Sequence, residues 1–147
     1  MFFPLFALLM GGQGQVPACP ATVAPPGALS GWTTTVGTPS VGKRFTVAGS
    51  LNVVGLTTEE QARGGAAAIV QIGIPEPDTY SIALGDGAWI DVRQGGKVLV
   101  SVGHEHGPAC TGIRKIVRFA LVARPAELRL SGIKGASIAV LVARDGR

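Results

Sequence analysis

Ala88-Trp89-Ile90-Asp91-Val92-Arg93-Gln94-Gly95-Gly96-Lys97-Val98-Leu99-Val100-Ser101-Val102 is the stretch that decides the fold of this chain. Apolar and polar residues alternate before the paired glycines. A period of two puts Ile90 and Val92 on one face of a strand and Trp89, Asp91 and Arg93 on the other. Gly95-Gly96 suits the positive φ angles of a tight primed turn, and the residues after it are mostly β-branched. The stretch therefore reads as a β-hairpin with strands over residues 88–93 and 98–102.

The same pattern spreads outward. Strands are expected at 45–47, 51–54, 67–74, 80–84, 127–130 and 138–142, with the longest at 113–122. Pro75-Glu76-Pro77-Asp78 stops the 67–74 run, because proline cannot donate to a ladder. Thr57-Thr58-Glu59-Glu60-Gln61-Ala62-Arg63 is the one helical signal, a hydroxyl cap followed by carboxylates, and Gly64-Gly65 ends it. About eight strands at this spacing make an all-β chain, an antiparallel β-sandwich of jelly-roll-like form over residues 43–147.

Composition agrees. The 147 residues are long enough for one domain with a real core. Apolar residues make up 46% and charged residues 15%, which argues against a disordered chain. With 22 Gly and 10 Pro, the chain favours many turns over long helices. Its net charge of +4 comes from scattered Lys and Arg, and five Phe, two Trp and one Tyr offer little for base stacking. No nucleic-acid partner is expected.

Residues 1–10 are apolar and too short to span a bilayer, and small residues at Gly12 and Gly14 follow. Residues 1–14 read as a secretory signal peptide cut after Gly14, although no Lys or Arg precedes the apolar run. No later segment reaches 18 uninterrupted apolar residues, so no transmembrane segment is expected in the mature chain, which should be periplasmic or secreted. Cys19 and Cys110 are the only cysteines. An oxidising compartment favours a disulfide between them, closing a loop whose chain-entropy stabilisation is roughly 4 kcal/mol. Lipoprotein anchoring at Cys19 is the rival reading, against which Pro17 and the nine-residue gap after the apolar run both count. Residues 15–42 form an extended Pro/Gly-rich leader lying over the domain, with Trp32 as its anchor.

The chemistry concentrates in Gly103-His104-Glu105-His106-Gly107-Pro108-Ala109-Cys110-Thr111-Gly112, which holds both histidines. On an extended segment His104 and His106 point to one side, where two imidazoles could share a Zn, Cu or Fe ion. Glu105 then points away, and a third ligand would have to come from Asp86 or Asp91. The bland reading is a tight glycine-flanked loop tied to the leader by Cys110. A third reading is a binding patch in which Trp89, Asp91 and Arg93 grip a sugar ring or small acid, with Arg114 beside the histidines as an anion clamp. That patch needs Trp89 exposed, whereas its position in a strand makes burial the expectation. No Gly-x-Ser-x-Gly elbow, phosphate-cradling loop, His-Glu-x-x-His helix or carboxylate pair occurs, so no catalytic residue is assigned.

The run from Asp78-Thr79-Tyr80 through Gly85-Asp86-Gly87-Ala88-Trp89-Ile90-Asp91-Val92 to His104-x-His106-Gly107-Pro108-Ala109-Cys110-Thr111-Gly112-Ile113-Arg114-Lys115 resembles a family of small exported bacterial proteins. Some of its members are labelled homogentisate 1,2-dioxygenase. The similarity covers roughly residues 66–143, the Cys19 leader and Gly31-Trp32. The Tyr80–Asp91 stretch is more loosely similar to pre-peptidase-type β-sandwich modules. The dioxygenase label implies a ferrous ion held by two His and one Glu. A cupin's His-x-His is usually followed by a Glu about four positions later, where this chain has Cys110 and Thr111.

Three functions therefore stand. The first is a secreted or periplasmic, non-catalytic binding or envelope-associated module, with no cofactor expected. It would take a small polar ligand or carbohydrate, or an envelope protein, around Trp89, Asp91, Arg93 and Arg114. The second is a metal-dependent oxygenase built on His104 and His106. The third is a purely structural envelope protein.

Overall fold

The computed structural model describes residues 18–146. The expected signal peptide, residues 1–14, lies outside the described residues. Nine strands occur among the described residues: β1 (Phe45–Ala48), β2 (Ala66–Ile72), β3 (Asp78–Leu84), β4 (Trp89–Gln94), β5 (Lys97–Val98), β6 (Gly103–His106), β7 (Lys115–Leu121), β8 (Ala126–Ile133) and β9 (Ser137–Arg144). One α-helix, α1 (Thr58–Ala62), separates β1 from β2. The strands form two antiparallel sheets in the orders β1-β9-β3-β7-β6 and β2-β8-β4-β5. Without β6 these are the two four-stranded layers of a jelly roll, and β6 is a ninth strand added beside β7. No helix among the described residues is long and apolar enough to cross a membrane.

The decisive hairpin forms where alternation placed it. Gly95 and Gly96 take φ of +56° and +74°, and Gln94 pairs with Lys97 across them. Ile90 and Val92 face inward, packing with Leu128 and Leu130 of β8 and with Tyr80, Ile82, Val140 and Val142 of the opposite sheet. The second arm is shorter than expected: β5 spans Lys97–Val98 alone, because the chain then leaves one sheet to enter the other at β6. Residues 51–54 are not a strand. Ser50 makes a single bridge to Ala67, after which the chain turns away toward α1 and leaves Val54 90% exposed. The strand expected at 113–122 covers Lys115–Leu121, and the longest strands are β8 and β9, with eight residues each.

Two attachments finish the fold. The leader carries a 3-10 helix, Gly27–Thr33, which seats Trp32 (3% exposed) on the outer face of the five-stranded sheet. There it packs with Ala83, Ile113, Ile116, Leu141 and Ala143. The Arg44 guanidinium lies 5.3 Å from the Trp32 ring centroid. Cys19 is disulfide-bonded to Cys110, and Val23 N donates to the Cys110 carbonyl at 2.7 Å, so the leader is stapled at its start and anchored at Trp32.

Helix α1 closes the outer face of the other sheet. Thr57 and Glu60 form a capping box: Thr57 Oγ1 accepts from Glu60 N at 3.1 Å, and Glu60 Oε1 accepts from Thr57 N at 2.9 Å. The same carboxylate receives Arg129 of β8, with Nε to Oε2 at 3.0 Å and Nη2 to Oε1 at 2.9 Å, while Arg129 Nη2 also donates to the Gly55 carbonyl. Both side chains are buried. Burial alone would raise the Glu60 carboxyl, but the hydrogen bonds from Arg129 and Thr57 outweigh it and hold the group at about 2.

A depressed carboxyl contributes stability above its ordinary value of 4.5 and loses it as pH falls toward 2. Urea unfolding at stepped pH should show this acid loss in the wild type. Glu60→Ala should cost about 3–5 kcal/mol at neutral pH, since it leaves Arg129 buried without its partner, and should flatten the loss between 4.5 and 2.

Candidate functional site

The added strand β6 carries both histidines, so they sit on an edge strand rather than in a loop. His104 lies opposite Val117 and His106 opposite Lys115 in β7. Val117 faces the core between the sheets, so His104 and His106 lie on that side of the ladder, at its rim. Glu105 takes the other side, where its carboxylate pairs with Arg118. Arg118 also approaches Asp145 at 3.7 Å.

After β6 the chain turns through Gly107–Gly112, and sterics specify this loop closely. A Cβ on Gly107 would lie 2.0 Å from the Ile113 carbonyl oxygen. Thr111 is buried, donating from Oγ1 to the Pro108 carbonyl at 2.7 Å and accepting from Ile113 N at 3.2 Å. Cys110 holds a φ of +64°, a left-handed conformation costly for a residue with a Cβ, and the disulfide fixes it there. The loop returns the chain to Arg114 and Lys115, which join Gly87, His104, Glu105 and His106 around a groove of about 350 Å³.

Trp89 does not line this groove but is joined to it by Lys115, which touches both, and it is 53% exposed rather than buried as expected. The reason is its face: Trp89, Asp91 and Arg93 lie on the outer side of the four-stranded sheet, as the period-2 rule requires, and α1 covers only part of that side. Gly132, next to Trp89's cross-strand partner Ser131, makes room, since a Cβ there would come within 3.1 Å of the indole Cδ1. Two cations lie against the ring. Arg63 Cζ is 4.7 Å from its centroid and Lys115 Nζ is 4.9 Å away. Arg63 is held by Asp91 at 2.6 Å, Ser131 at 3.0 Å and Glu59 at 3.5 Å. Lys115 Nζ has only the Ala88 carbonyl, at 3.3 Å.

The structure thus brings His104, His106 and Arg114 together around one groove, and Lys115 connects that groove to Trp89. It does not bring Asp91 or Arg93 there. Asp91 is committed to Arg63, and Arg93 lines a separate cleft of about 340 Å³ between α1 and the sheet, with Thr57, Thr58 and Arg129. Asp86 accepts from Gly87 N at 2.7 Å within the β3–β4 turn. Among the described residues no group of three or more His, Cys, Asp or Glu is placed to hold a metal ion. Sequence reasoning missed Lys115, Arg63 and Gly132. Each depends on how separate elements meet, which no local sequence pattern signals.

Gly107→Ala should disorder the β6–β7 turn and weaken the disulfide's hold on the leader. Its thermal midpoint should fall by several degrees, while Gly37→Ala, where a Cβ meets nothing within 4 Å, leaves it unchanged. Differential scanning calorimetry of the two variants checks this.

Comparison with protein-family models, with curated proteins and with solved structures finds no match.

Proposed function

We propose that this chain is an exported, non-catalytic β-sandwich module that binds a small polar ligand or carbohydrate in the groove beside Trp89. The observation that carries the reading is an indole 53% exposed and packed by Lys115, which itself lines the groove, and by Arg63. An isolated exposed tryptophan is costly to leave in water, and one beside convergent polar side chains is a common ligand platform. The Cys19–Cys110 disulfide supports export, because such bonds persist in oxidising compartments. On this reading residues 1–14 are the signal peptide and the mature protein is periplasmic or secreted.

The oxygenase reading needs a metal held by His104, His106 and a third ligand. Glu105 faces away and pairs with Arg118, and Asp91 pairs with Arg63, so the nearby carboxylates are engaged elsewhere. A purely structural envelope protein would have no use for the groove at all.

Two measurements separate the three. Elemental mass spectrometry on untagged, periplasmically exported protein should find no stoichiometric Fe, Cu or Zn that is lost in His104→Ala/His106→Ala. One equivalent lost in that variant would replace this proposal with the oxygenase. A fragment screen read by NMR should give hits that shift His104, His106 and the Trp89 indole N–H together. If no fragment occupies the groove, the structural reading takes its place. Mass analysis of the exported chain should give a mature N-terminus at Gln15, and a lipidated Cys19 would overturn that assignment.

A further inference from the structure

The groove is unbalanced in charge. Arg114 and Lys115 both line it, and among the described residues neither is in a salt bridge. The carboxylate nearest in sequence, Glu105, belongs to Arg118, and Asp91 is held by Arg63. His104 and His106 add hydrogen-bonding imidazoles but no negative charge. Two cations therefore share about 350 Å³ with a single lining carboxylate, Glu105, which is already paired with Arg118.

Lys115 feels this most. Its ammonium is partly withdrawn from water, sits over an indole, and has the fixed guanidinium of Arg63 on the same ring. Burial first, then the Arg63 charge, push the amine below its ordinary 10.5, and Asp91 only partly offsets them. An ammonium so placed has lost part of its hydration, so it gives up less water to an arriving anion than a fully exposed lysine does. Its one hydrogen bond among the described residues, to the Ala88 carbonyl at 3.3 Å, leaves its head free to turn from the indole toward the groove it lines. Arg63, with its three partners, cannot follow.

We infer that the groove takes a small hydroxylated carboxylate of sugar-acid size, its carboxylate between Lys115 and Arg114 and its ring against the Trp89 face that Lys115 uncovers. The inference rests on the reading of the groove as a binding site. Arg114 offers the planar fork that matches a carboxylate, and the imidazoles of His104 and His106 suit ring hydroxyls. A groove of 350 Å³ has room for a single ring.

The test uses glucuronate as the probe, with glucose as the same ring lacking the carboxylate and inorganic phosphate as charge without a ring, all at constant ionic strength. Binding is read by calorimetry and by tryptophan emission, with Trp89→Phe removing the optical signal and buried Trp32 as constant background. Glucuronate should bind at least tenfold tighter than glucose or phosphate. Lys115→Met and, separately, Arg114→Gln should each weaken it at least tenfold, Lys115→Arg should keep most of the affinity, and Lys97→Met on β5 should change nothing. Because the bound anion favours the ammonium, affinity should fall as pH rises toward 10.5, and Lys115→Arg should lose that dependence. Equal binding of glucose overturns the anion, and equal binding of phosphate overturns the ring. Glucuronate failing to bind, while uncharged fragments still occupy the groove, overturns the inference and leaves the binding module standing. A groove that nothing enters removes both.

Discussion

The middle of the five-stranded sheet has to be buried on both faces, and most of the molecule follows from that demand. Along β3, Tyr80, Ser81, Ile82, Ala83 and Leu84 are all buried, so both rows of its side chains are out of water. The inner row meets the other sheet. The outer row, Ala83 with Ile116, Leu141 and Ala143, has no second sheet to meet, and Trp32 from the leader covers it. A buried indole of this size contributes several kcal/mol by its area alone. It cannot do so unless the leader lies in one place, which is what the Cys19–Cys110 bond enforces at the other end of the segment. The same bond fixes the β6–β7 turn. The apolar outer face and the polar groove are thus joined through one covalent link.

Polar interactions settle the other sheet. Arg129 in the middle of β8 would be an uncompensated charge under α1 were it not for Glu60, and Glu60 is in turn the N3 residue that caps the helix. One carboxylate therefore positions the helix and neutralises the sheet. Arg63, at the end of α1, then reaches Asp91 and Trp89, so the geometry around Trp89 descends from that buried pair.

The strands were legible in the sequence wherever side chains alternate or turns carry glycine, as at Trp89–Gln94 and Gly95-Gly96, because those signals are local. What failed was non-local. Residues 51–54 and 99–102 have strand composition but form no continuous ladder: one stretch leads away to α1, and the other crosses between sheets, bonded to β4 at Leu99 and to β7 at Val102. Conversely, β6 carries His-Glu-His, which no propensity marks as a strand, and it forms because β7 offers a free edge. The site divides the same way. The Cys19–Cys110 pairing, the shared side of His104 and His106, and the shared face of Trp89, Asp91 and Arg93 follow from count and period. The exposure of Trp89 and the approach of Lys115 and Arg63 to it depend on how two sheets and a helix meet, and no window of sequence contains that.

The first strand of this sandwich pairs with its last, Phe45 opposite Val140, and Trp32 rests partly on Leu141 and Ala143. A chain that emerges N-terminus first exposes its leader and Cys19 long before their partners exist. Neither the sheet edge at β1 nor the outer apolar face can close until β9 has arrived, so folding is deferred to the end of synthesis. During that interval an unpaired thiol and an unburied tryptophan travel together. Such a protein makes heavy demands on whatever chaperones and thiol oxidants attend its folding.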